Sequence, residues 1–111
     1  MELWFSEYHS ADMKISFRVR RQLFSRHSGF QEIQVLDTEE YGRVLVMDGF
    51  IMLTEKDEFI YHEMITHVPM AVHPAVRKAL VIGGGDGGTV RELCRHPELC
   101  LLSPSDAADD P

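Results

Sequence analysis

Residues Ala79 to Arg95 read ALVIGGGDGGTVRELCR, and this stretch decides the fold. Ala79 to Ile82 is a short continuous apolar run flanked by Arg77 and Lys78 on one side and glycines on the other. Such a run fits a strand buried on both faces of a parallel sheet. Five of the eight glycines in the chain fall between Gly83 and Gly88, so the cluster is not background composition. Thr89 to Arg95 then reads as a helix. Gly83, Gly85 and Gly88 satisfy the G-x-G-x-x-G spacing in its proper setting, after a strand and ahead of a helix. The turn lets a ligand approach the backbone, with the helix N-terminus aimed at it. A plain strand-to-helix turn is the competing explanation.

Asp86 sets the class of ligand. A carboxylate inside the loop repels a pyrophosphate and suits ammonium or sulfonium groups. That favours a sulfonium nucleoside over a dinucleotide. Asp86 is also a residue type that caps helices, and it can do both.

Working outward toward the N-terminus, the periodicity changes from helical to alternating. Lys14 to Val19 alternates, with Ile15, Phe17 and Val19 on one face. Phe30 to Leu36 alternates again, with Ile33 and Val35 opposite Glu32 and Gln34. A turn at 39–42 precedes the β-forming run Arg43 to Met47. Asp48-Gly49 is a strong two-residue hairpin signal, and Phe50 to Leu53 returns as its partner. Thr54 and Asp57 resemble a capping pair. From Asp57 to about Val68 the pattern predicts an amphipathic helix, with Ile60, Met64 and Val68 on its apolar face. Pro69 is expected to end or kink it.

Beyond Arg95 the pattern stops. HPELCLLSPSDAADDP shows neither period and reads as loop or disorder. The expected organisation is therefore three pieces: residues 1–54 as a β-strand domain, 55–97 as a linking helix and first βα unit, and 98–111 as a divergent tail.

Bulk properties narrow the partners. The chain has 111 residues and a formal net charge of -7, which argues against nucleic acid. No run approaches the roughly 20 apolar residues of a membrane helix, and MELWFSEYHS is not a signal peptide. Cys94 and Cys100 match no zinc spacing and read as reduced thiols of a cytoplasmic protein.

Two segments together resemble the polyamine aminopropyltransferase (spermidine synthase) family. YGRVLVMDGFIMLTEKDEFIYHEMITHVPM, Tyr41 to Met70, is similar to its signature stretch. VIGGGDGGTVREL, Val81 to Leu93, is similar to its nucleotide-binding loop, in the right order and at the right separation. The resemblance runs over about residues 2 to 97 and is loose before Phe30. It implies an α+β to α/β fold: a small antiparallel N-terminal sheet, then the start of a Rossmann-like, S-adenosylmethionine-dependent methyltransferase-type domain, truncated after its first strand, glycine loop and helix.

The resemblance also implies a reaction: the aminopropyl group of decarboxylated S-adenosylmethionine moves to putrescine, giving spermidine and methylthioadenosine. No metal is required. It implies that Gln31 contacts the methylthioadenosine part and that Tyr61 and His62 contact the polyamine. Asp86, with Gly83 and Gly85, would contact the amine end of the donor. Taken alone, Gln31 is an ordinary polar residue on a strand and His62 pairs with Glu58 on a solvated helix face. Asp57 and Glu58 read as helix N-terminal charges. Met52 departs from the glutamine of some relatives. Asp106 falls near the place of a ribose-binding acid but follows a segment broken by Pro104. The family's catalytic aspartate loop is not reached, so no catalytic residue is nominated and this chain is expected to be inactive by itself. The resemblance further implies a homodimer or homotetramer for the full-length family. An S-adenosylmethionine-dependent methyltransferase fragment and a non-catalytic oligomerisation module are the alternatives.

Overall fold

The computed structural model describes residues 1–102. Contacts divide the chain into two compact units, Met1–Glu58 and a second beginning at Phe59.

The first unit is a five-stranded antiparallel sheet in sequential order. Its strands are β1 (Leu3–Ser10), β2 (Met13–His27), β3 (Glu32–Thr38), β4 (Gly42–Met47) and β5 (Phe50–Thr54). The hairpin expected at Asp48-Gly49 is present, with both residues at positive φ, 52° and 82°. This is the backbone that a tight turn between twisted strands requires. Two strands exceed the expectation. β1 was not foreseen, and β2 runs eight residues past Val19 to His27. Their sequences carry too little alternation to announce them. β1 is held by pairing along β2, from Leu3 against Val19 to Tyr8 against Lys14.

The buried faces also differ from the alternation read in the sequence. The core is Val19, Leu36, Val44 and Val46, with Phe5, Tyr41 and Ile51 packed on it. Leu36 is directly opposite Val44, so β3 turns the Leu36 and Thr38 face inward. Ile33 and Val35 lie on the other face, half-buried. Of Ile15, Phe17 and Val19, only Val19 is buried; Ile15 is 49% exposed. The Glu7 carboxylate accepts a 2.5 Å hydrogen bond from the Ile51 amide, which ties β1 to β5 across the open side of the sheet. An edge amide is thereby satisfied without a strand partner.

Thr54 and Asp57 are paired, as expected. Thr54 Oγ1 donates to Asp57 Oδ1 at 2.5 Å and accepts from the Asp57 amide at 3.3 Å. Helix α1 begins one residue later and spans Glu58–Val72. Pro69 therefore does not end it. A proline lacks an amide donor and crowds the carbonyl four residues back, yet the helix continues past it and the His73 amide donates to the Pro69 carbonyl at 3.0 Å.

The second unit holds most of α1, then β6 (Lys78–Leu80), α2 (Gly88–Leu93) and β7 (Cys100–Leu102). β6 and β7 pair in parallel, Lys78 opposite Cys100. The strand expected over Ala79 to Ile82 is shorter and not fully buried: Leu80 is 51% and Ile82 83% exposed. With one neighbouring strand, β6 has no second partner among the described residues to cover it. The expectation that regular structure stops at residue 98 fails at Cys100–Leu102. The register with β6 makes those three residues a strand despite their lack of period. The readings of Pro104, Asp106 and the rest of the tail lie outside the described residues. The apolar face expected for α1 is also displaced. Ile60, Met64 and Val68 are 55%, 61% and 49% exposed, whereas the buried residues of the helix are His62 and Thr66. No helix among the described residues is long and apolar enough to cross a membrane.

Candidate functional site

The glycine loop of the second unit is built by backbone geometry first. Gly83, Gly84 and Gly87 have φ of 80°, 65° and 80°, in the region that side-chain-bearing residues avoid. The Gly87 amide donates to the Gly84 carbonyl at 3.0 Å, closing the turn. Gly87 is the N-cap of α2 and provides no side-chain cap. The cap comes from the preceding residue: Asp86 Oδ1 accepts from the Gly88 amide at 2.8 Å. Asp86 is therefore not the N-cap it was weighed as but stands one residue ahead of it, and holds the Gly88 amide through an Asx turn.

His62 completes the arrangement. It is 3% exposed, and its Nε2 lies 3.3 Å from Asp86 Oδ1. Its ring lies so close to Gly88 that a Cβ there would come within 2.3–2.5 Å of three imidazole atoms. Tyr61 is 63% exposed and stands edge-on to His62, with ring centroids 5.3 Å apart at 74°. Asp86 keeps 27% of its side chain exposed. The loop therefore presents a carboxylate to solvent, steadied by an amide and an imidazole, with an aromatic ring on the helix beside it. A carboxylate and an aromatic ring are both groups able to interact with a cation.

Tyr61, His62, Asp86, Gly83 and Gly85 all belong to this second unit. Gln31 belongs to the first. It is half-buried at the entry to β3, where Ser28 Oγ accepts from its amide at 2.9 Å and donates to its carbonyl at 3.0 Å.

A further polar cluster was not foreseen. Glu92 is 1% exposed. His67 Nε2 lies 3.1 Å from its Oε1, and His67 Nδ1 lies 3.0 Å from His96 Nε2. Arg91 Nε donates to Glu92 Oε2 at 2.8 Å, and Arg95 lies 3.4 Å from Oε1. The hydrogen bonds from Arg91 and then His67 hold the Glu92 carboxyl below its ordinary value of 4.5, against the opposing effect of burial. The partners stand 25 and 29 residues apart in sequence, so no local pattern announces them. Among the described residues, no group of three or more His, Cys, Asp or Glu side chains is arranged to hold a metal ion.

Comparison with known proteins bears on both units. Residues 3–55 match the spermidine synthase tetramerisation domain, and residues 58–102 match the spermine/spermidine synthase domain. The first match begins at residue 3, so the likeness before Phe30 is firmer than the sequence reading had it. The polyamine aminopropyltransferase of Lachnoclostridium phytofermentans is 62% identical over 99 residues, which are 89% of this chain and 35% of that protein. The protein of the same name from Clostridioides difficile is 56% identical over the same length. The crystal structure of spermidine synthase from Thermotoga maritima superposes with a TM-score of 0.86 at 42% identity, covering 91% of this chain and 36% of that one. A spermidine synthase solved with the transition state analogue AdoDATO gives the same TM-score and identity. The chain spans about a third of the length of the curated relatives it matches.

Proposed function

The chain belongs to the spermidine synthase family, and from that premise we propose that it takes part in aminopropyl transfer from decarboxylated S-adenosylmethionine to putrescine, in the cytoplasm. The observation that carries this reading is Asp86, a part-exposed carboxylate inside the glycine loop. A phosphate-binding loop has no use for a fixed negative charge, whereas a donor bearing a sulfonium and an ammonium does. Tyr61 supplies an aromatic face for the ammonium of the donor arm or of the acceptor. Gln31 carries both donor and acceptor groups for a nucleoside.

The transfer itself is a displacement. The lone pair of an acceptor amine attacks the carbon next to the sulfonium, the carbon–sulfur bond breaks, and a neutral thioether leaves. The amine must first lose a proton, since a primary amine with a pKa of about 10.4 is mostly protonated at neutral pH. The role assigned to this chain is to bind and orient the donor. The base is not assigned to any of its residues.

Copies of the front sheet are proposed to associate. The family whose description matches residues 3–55 is a tetramerisation domain, and the sheet exposes Leu3, Trp4, Tyr8 and Met13.

Calorimetry tests the donor reading directly. Decarboxylated S-adenosylmethionine should bind the 111-residue chain more tightly than the carboxylated compound, and NADH should not bind. Binding of NADH in place of the decarboxylated donor would overturn the proposal.

A further inference from the structure

Within the second unit, α1 buries polar residues and exposes its apolar ones. Burying a carboxylate is unfavourable unless it is paired and hydrogen-bonded, and apolar packing of the same volume is often as stable. Glu92, 1% exposed, must therefore be judged by what its bonds direct.

Those bonds have a direction. A carboxylate held below its ordinary pKa is ionised at neutral pH and only accepts. Its contact with His67 Nε2 places a proton on that nitrogen. In the neutral ring Nδ1 is then the acceptor, and the nitrogen facing it, His96 Nε2, must carry a proton. The order is His96 to His67 to Glu92, with Arg91 and Arg95 neutralising the carboxylate from its own helix and the residues just after it. His67 and His62 belong to the same helix, α1. Whatever fixes His67 on Glu92 also fixes where the His62 ring falls relative to Gly88 and Asp86.

We propose that Glu92 is a positioning residue, which through His67 sets the register of α1 on α2 and so holds the His62 ring against Asp86 and Gly88. The consequence for ligand binding rests on Asp86 being the residue that holds the cationic donor. The positioning itself does not.

The test is NMR of the full chain. Long-range 15N correlation should show a proton on His67 Nε2; a bare Nε2 would overturn the proposal without any variant. Glu92→Gln should shift the His62 ring signals and the Gly88 amide while far-UV circular dichroism is retained, and should weaken decarboxylated S-adenosylmethionine several-fold. Should Glu92→Gln not fold, His67→Ala and His67→Gln replace it. The alanine should displace the His62 and Gly88 signals, whereas glutamine, which both donates and accepts, should keep them near wild type. A loss of thermal stability with those signals unmoved would mean a merely structural role and would sink the inference. If the signals move but the wild-type chain binds no decarboxylated donor, the positioning stands and the functional reading fails.

Discussion

The imidazole of His62 fills the volume that a side chain at Gly88 would need. The glycine at the start of α2 is thus required by a residue of α1, independently of any ligand. Gly88→Ala should force the two helices apart. Overpacking of this kind costs about 1–3 kcal/mol, so urea unfolding should show a lowered midpoint. An unchanged midpoint would mean that the ring moves aside freely.

Asp86→Asn separates charge from geometry. Asparagine can still accept from the Gly88 amide, so the Asx turn should survive and the melting curve should change little. Binding of the decarboxylated donor should weaken by at least about tenfold, the loss expected when a charged hydrogen-bonding group is neutralised. Equal affinity of the two proteins for that donor would remove Asp86 from the site.

Thr54→Ala removes the hydroxyl that joins Thr54 to Asp57 ahead of α1. Because Thr54 is 4% exposed and its hydroxyl is bonded, about 1 kcal/mol of stability should be lost. Denaturant titration measures this, and no loss would show the turn to be held by backbone alone.

Gly49→Ala tests the hairpin. The residue has φ 82°, where an L side chain costs roughly 1–2 kcal/mol. The variant should unfold earlier by that amount, and Asp48→Gly, at φ 52°, should be tolerated on backbone grounds.

Stability should also depend on Glu92 in acid. Its pKa is lowered in the folded protein, so between the folded value and the ordinary 4.5 the unfolded chain binds more protons. The contribution is complete above that ordinary value and is lost as pH falls through the folded one. A Glu92→Gln variant should lose this part of the acid limb. Unfolding curves for the two proteins that stay parallel from neutral pH downward would contradict it.

Much was legible in residues 41 to 95 because local chemistry decides there. Asp48-Gly49 tolerates positive φ, so the hairpin could be read from two letters. The glycine cluster announced its turn, which the backbone at Gly83, Gly84 and Gly87 bears out. Order and spacing of the two motifs were enough to place the chain in its family. What failed depended on distant partners. β1 is a strand because β2 lies beside it, and Cys100–Leu102 is one because of β6. Leu36 is buried, against the alternation read for its strand, because Val44 faces it.

The sequence by itself determined the conformations that single residues prefer: the glycine turn, the hairpin and the helix that begins beside Thr54 and Asp57. Tertiary structure alone decided which side of α1 is buried, since apolar periodicity favours Ile60 and Met64 whereas the buried residues are His62 and Thr66. It also assembled Glu92, His67 and His96, residues whose bonds span tens of positions. The physical reason is range: backbone preference acts over one or two residues, whereas hydrogen bonds between side chains distant in sequence form only after the chain has brought them together.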